Sequence, residues 1–127
     1  MSDQTFKLQF VAIVDDDASV RKAVARLLRA HGVDVRTYGS AREFLEALPS
    51  GIPDCLIVDL NMPDASGLEL QRELLRLNAR IPTVVMTGCD EKTNRHQCCD
   101  LGATAYLLKP MDKDELMAAI GSAAKPN

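Results

Sequence analysis

No stretch of this chain is apolar for long enough to suggest a membrane span. The longest early apolar run, Leu8 to Val14, contains Gln9 and leads straight into Asp15, Asp16 and Asp17, unlike a signal peptide or a transmembrane helix. A cytoplasmic protein with no membrane partner is therefore expected. No basic block is present either: 15 Lys and Arg are spread along the sequence against 18 Asp and Glu, giving a net charge of -3. That balance argues against direct nucleic-acid binding. A disulfide framework is missing too, because Cys55, Cys89, Cys98 and Cys99 include a vicinal pair and one residue inside an apolar run. His96 stands close to Cys98 and Cys99, but the paired spacing of a zinc site is absent. Repeats and low-complexity tracts are also lacking. What remains is a 127-residue chain, 46% hydrophobic and 26% charged, as expected of one globular domain with a single core over about residues 8–124.

Four short apolar runs each end in a residue that could do chemistry: VAIV before Asp15 and Asp16, CLIV before Asp59, VVM before Thr87, and YLL before Lys109. Between them lie helical patterns. Val20, Ala23, Val24, Leu27 and Leu28 recur at helical spacing after a strand over Leu8 to Val14. Gly32 closes that helix, and Val33, Val35 and Thr37 alternate with Asp34 and Arg36 as a half-exposed edge strand would. Ser40 with Glu43 forms a capping box for a short helix that turns Phe44, Leu45 and Leu48 inward. Ser66 with Glu69 opens a helix bearing Leu70, Leu74 and Leu77, and Asp112 with Glu115 opens the last, striped by Leu116, Ala119, Ile120 and Ala123. Strands at Cys55 to Val58 and Thr83 to Met86 complete a repeating strand-helix order, which implies an α/β protein built on a parallel sheet. Asp90 to Leu101 is the exception. Polar residues dominate it, only Cys98, Cys99 and Leu101 are candidates for burial, and a loosely held fourth helix is expected.

If the runs are parallel strands, their carboxyl ends share one rim, where such folds bind ligands. The turn after the first strand carries three aspartates instead of the glycines of a phosphate cradle, so it attracts cations. Asp59 adds another carboxylate. Anions so close raise one another's pKa unless a divalent ion neutralises them, and Mg²⁺ is the natural occupant. With a phosphoryl donor held there, Asp59 could attack phosphorus while the Lys109 ammonium and the Thr87 hydroxyl stabilise the transferring oxygens.

Val14-Asp15-Asp16, Val58-Asp59 with Met62-Pro63 and Gly67, Met86-Thr87-Gly88, and Tyr106 through Lys109-Pro110 together resemble a bacterial two-component response regulator receiver domain over Gln9 to Ile120. The stretch Tyr38 to Leu45 and the Met86-Thr87-Gly88 segment are most similar to the FixJ-type branch, whose receivers commonly precede a DNA-binding domain and so serve transcription regulation. The resemblance implies the flavodoxin-like (βα)5 doubly wound sandwich, with strand order 2-1-3-4-5 and helices on both faces. It implies Asp59 as phosphoacceptor, Asp16 and Asp59 as direct ligands of Mg²⁺ (or Mn²⁺), Asp15 as a second acid acting through water, and the Asn61 backbone carbonyl as a further ligand. Thr87 would bond the phosphoryl group, Lys109 would pair with it, and Tyr106 would follow Thr87. A cis bond at Lys109-Pro110 is implied as well.

The same resemblance implies a signalling domain that catalyses its own phosphorylation and dephosphorylation. Its phosphoryl group would come from a sensor histidine kinase or a small acyl phosphate. The signal would leave through the face of the fourth helix, fifth strand and fifth helix, toward an output domain, a downstream protein, or a second phosphorylated copy. Met111 replaces the usual Phe, while Cys89 and Asn61 hold positions that in this family influence phosphate lifetime. Lys125 to Asn127 reads equally as a free terminus or as the start of a linker. Two other functions compete: a haloacid-dehalogenase-like phosphatase with Asp15 as nucleophile, which leaves Asp59 without a task, and an interaction module independent of phosphorylation.

Overall fold

The computed structural model describes residues 10–62, 66–88, 92–109 and 112–124. The chain runs β1 (Val11–Val14), α1 (Ala18–Ala30), β2 (Val35–Tyr38), α2 (Ala41–Ala47), β3 (Cys55–Asp59), α3 (Gly67–Arg76), β4 (Thr83–Thr87), α4 (Lys92–Asp100), β5 (Ala103–Leu108) and α5 (Lys113–Ala124), with a 3₁₀ turn at Leu48–Ser50. All pairings are parallel, in the order β2-β1-β3-β4-β5. β1, β3 and β4 are buried along their whole lengths, as a parallel sheet covered on both faces requires. The expected flavodoxin-like order is thus the observed one, and β2 is indeed an edge.

Alternate side chains of the central strands feed two cores. On one face Val11, Ile13, Ile57, Val84 and Met86 pack with Val24, Ala25 and Leu28 of α1 and with Leu116, Ala119, Ile120 and Ala123 of α5. On the other, Ala12, Val14, Leu56, Val58 and Val85 pack with Phe44 of α2, Leu70 and Leu74 of α3, and Cys98 of α4. The register of β4 against β5 slips between Thr83 and Val84, whose partners are Ala103 and Ala105. Thr104, exposed to solvent, is the extra residue. Consequently Ala103 and Tyr106 join the core under α2, α3 and α4, while Ala105 and Leu107 join the one under α1 and α5.

Local signals explain the helix ends. Ser66 and Glu69 make a complete reciprocal box on α3, and Asp112 and Glu115 exchange the same two bonds at 3.2 and 2.7 Å on α5. At α2 the box is half made: Ser40 accepts from the Glu43 N–H at 3.1 Å, but Glu43 reaches the Gly39 N–H at 3.3 Å. Gly32, at φ +79°, ends the α1 turn in the left-handed region that favours glycine. At Gly67 a Cβ would meet the Asp59 carbonyl oxygen and Leu60 Cα, both at 3.1 Å, so a side chain there would press the start of α3 away from the end of β3.

Several expectations need correction. β1 begins at Val11, and Leu8 and Gln9 lie outside the described residues. Ala23 faces solvent, Thr37 is exposed, and Leu77 caps the end of α3 rather than lining its buried stripe, at 47% exposure. Cys99 is exposed while Cys98 is fully buried, because neighbours on a helix diverge by about 100°. No helix among the described residues is long and apolar enough to cross a membrane.

Candidate functional site

The turn after β1 assigns its three acids different tasks. Asp17 caps α1, its carboxylate accepting from the N–H groups of Ser19 and Val20 at 2.9 and 3.3 Å, which satisfies donors that a helix start leaves open. Asp15 is fully buried. Its carboxylate accepts from the Asp17 N–H at 2.9 Å, and its carbonyl oxygen accepts from the Arg21 guanidinium at 2.6 Å. Asp16 is exposed.

Asp59 is the last residue of β3 and nearly buried. The Asn61 N–H donates to its Oδ1 at 3.1 Å, and the Lys109 ammonium donates to its Oδ2 at 3.2 Å. The same ammonium reaches Asp15 Oδ2 at 3.3 Å. Oxygens of Asp15, Asp16 and Asp59 all lie within 4.8 Å of one another. Desolvation holds Asp15 above the ordinary carboxyl range, opposed by the Asp17 N–H and by Lys109 and reinforced by Asp59. Burial alone would pull Lys109 down, but attraction to Asp15 and Asp59 outweighs it and holds the ammonium above its usual value. One ammonium thus stands against a cluster of three carboxylates. The donor set is oxygen-only, with one acid open to solvent, and it suits a hard divalent cation better than a soft one.

Thr87, the last residue of β4, is fully buried. Its carbonyl oxygen accepts from the Lys109 N–H at 2.7 Å, and its Oγ1 accepts from the Asn61 side-chain amide at 3.1 Å. Tyr106 is half-buried on β5, with the Arg95 guanidinium of α4 5.1 Å from its ring centre.

The structure therefore brings Asp15, Asp16, Asp59, Asn61, Thr87 and Lys109 to one rim, while Tyr106 stands further back on β5, against α4. Pro63, Cys89, Pro110 and Met111 lie outside the described residues, and with them the expected cis bond at Lys109-Pro110. The sequence marked Asn61 for its backbone carbonyl and for a position that influences phosphate lifetime, but not for the bond its side-chain amide makes to Thr87. The one available signal was strand adjacency, since β3 beside β4 brings residues just past the two strand ends together. The Arg21 clamp on Asp15 was missed as well, because a carbonyl six residues away leaves no mark in composition.

Comparison with known proteins gives a consistent picture. The pattern of the response regulator receiver domain matches residues 11–121. Nodulation protein W of Bradyrhizobium diazoefficiens is 36% identical over 115 residues, 91% of this chain and 51% of that protein. The transcriptional regulatory protein FixJ of Azorhizobium caulinodans is 38% identical over 113 residues, 87% of this chain and 52% of that protein. The chain thus spans about half the length of these curated relatives. The crystal structure of FixJ-N superposes with a TM-score of 0.88 at 35% identity, covering 94% of this chain and 95% of that one.

Proposed function

Since this chain belongs to the response regulator receiver domain family of two-component systems, we propose that Asp59 is its phosphoacceptor. The observation that carries this reading is the Lys109 ammonium shared between Asp59 and Asp15, 3.2 and 3.3 Å away, beside a buried threonine hydroxyl. An Asp59 oxygen attacks phosphorus. The bond from phosphorus to the donor's leaving group breaks, the leaving group departs with that electron pair and takes up a proton, and an aspartyl phosphate forms. Lys109, already held against Asp59 before the reaction, neutralises charge on the transferred group, and the Thr87 hydroxyl turns to donate to one of its oxygens. Asp16 and Asp59, with Asp15 behind them and the Asn61 carbonyl, would hold Mg²⁺ (or Mn²⁺). When bound, the ion supplies positive charge against the phosphoryl oxygens.

The donor is a sensor histidine kinase, or a small acyl phosphate in its place. Tyr106 and α4 adjoin this rim, so the altered surface is that of α4, β5 and α5, presented to an output domain, a downstream protein or a second phosphorylated copy. A role in transcription regulation follows from relatives such as FixJ. The test is intact mass after incubation with Mg²⁺ and acetyl phosphate. An adduct of one phosphoryl group that is lost in Asp59→Asn is expected. An adduct retained in Asp59→Asn and lost in Asp15→Asn would instead indicate phosphatase-type chemistry, and no adduct in any variant, together with no beryllofluoride binding, would indicate a module independent of phosphorylation.

A further inference from the structure

We propose that Arg21 is a positioning residue for the metal site, its guanidinium gripping the peptide that leads into Asp16 and so aiming the one exposed carboxylate of the cluster. The proposal rests on the reading of Asp16 and Asp59 as ligands of Mg²⁺. Asp16 is open to solvent, yet one of its oxygens lies within 4.8 Å of carboxylate oxygens of Asp15 and Asp59. Like charges at that range repel. The Lys109 ammonium goes to Asp15 and Asp59, and no described residue donates a hydrogen bond to the Asp16 carboxylate. The direction of Asp16 is therefore inherited from its backbone.

That backbone is held at several points, but the peptide group between Asp15 and Asp16 at one. The Asp15 N–H donates to the Tyr38 carbonyl at 3.2 Å, which fastens the peptide before. The Asp17 N–H donates to Asp15 Oδ1 at 2.9 Å, which fastens the peptide after. Among the described residues only Arg21 reaches the peptide between them, its Nη1 donating to the Asp15 carbonyl oxygen at 2.6 Å. A peptide group is planar, so a grip on that oxygen also fixes the Asp16 N–H and the path to its Cα. The grip is firm on both sides: a guanidinium is always charged and bonds more strongly than a neutral donor, and Arg21 stands in the first turn of α1, which Asp17 caps.

A role through charge alone has the opposite sign. A guanidinium beside a cation site repels the cation, so removing it for charge alone tightens Mg²⁺ binding, whereas removing a positioning group weakens it. Arg21 belongs to neither core, and Arg21→Met keeps an apolar stem while losing the charge and the donors. Amide shifts of the metal-free protein, titrated with MgCl₂ at constant ionic strength, should give an affinity about tenfold weaker in Arg21→Met than in the wild type. Before metal is added, the Asp16 N–H order parameter should fall from about 0.85 to below about 0.6. Equal or tighter Mg²⁺ binding overturns the proposal, and so does an unchanged order parameter. The amide spectrum shows whether the variant is folded, and Arg21→Gln, read by the same two measurements, takes its place if it is not. A wild type whose shifts ignore Mg²⁺ contradicts the metal reading, while the order parameter still decides whether Arg21 fixes the turn.

Discussion

A carboxylate with no exposure to water, as at Asp15, is destabilising in its ionised form, and burial is the main reason its pKa stands above the ordinary range. The sign follows from linkage. A group whose folded pKa is raised contributes most when protonated, and that contribution is lost as pH rises through the folded value. Asp15→Asn keeps an acceptor for the Asp17 N–H and removes the charge. In metal-free buffer it should melt together with the wild type at acid pH and about 3 °C above it near neutrality, the scale of roughly 1 kcal/mol. Added Mg²⁺ should raise the wild-type melting temperature, as any ligand of the folded state does, and should raise that of Asp15→Asn much less. Thermal melts across pH, with and without the metal, check both. The cysteines give a second test at this scale. Cys99 is exposed, Cys98 is buried with its thiol pushed up by burial, and Cys55 is pushed up to about 12 by burial and by Asp54. Since the thiolate is the reactive form, peptide mapping after alkylation of the native protein should find Cys99 modified first and Cys55 last of these three.

Among the helices, α4 is the one least tied to a core. Among its described residues Cys98 alone joins the buried cluster, Cys99 is exposed, and a cavity of about 370 Å³ lies between the end of α3 and the turn into β5, lined by Gln71, Leu74, Ile81 and Leu101. A tether crosses beside it: the buried Gln71 amide donates to the Cys98 carbonyl at 3.2 Å while its own oxygen has no hydrogen-bond partner among the described residues. Gln71→Leu removes a bond and an unsatisfied acceptor together, so the two effects offset to within about 1 kcal/mol globally. Locally it frees α4. Hydrogen exchange over 97–101 should accelerate severalfold in Gln71→Leu while the denaturant midpoint barely moves. The weak hold on α4 was legible in the sequence because it follows from composition, and helix starts were legible because caps are local chemistry. Leu77, Cys99 and Ala23 were misplaced because burial at a helix end or flank depends on where the turn stops and which way it faces. Asn61 was only half read, since its partner Thr87 is 26 residues away and comes near only through strand order.

At the scale of the molecule, the sheet separates two cores that share strands but no side chains. Leu28 fills one and Phe44 the other, at 0% and 1% exposure. Leu28→Ala and Phe44→Ala should each lose about 2–5 kcal/mol of stability, and the double variant should lose their sum to within about 0.5 kcal/mol. Urea titration of the four proteins checks this, and a coupling larger than that would show that strain crosses the sheet. The slip at Thr104 has a different kind of consequence. Strand residues alternate in parity, and a residue left out of the pairing inverts the parity of everything after it. Were Thr104 paired in turn like its neighbours, Tyr106 would fall opposite Met86 instead of Val85, and the aromatic ring now facing α4 would be presented to α5. One skipped position at the start of the last strand, rather than the chemistry of the residue that occupies it, thus acts as the key that decides which helical layer listens to the rim.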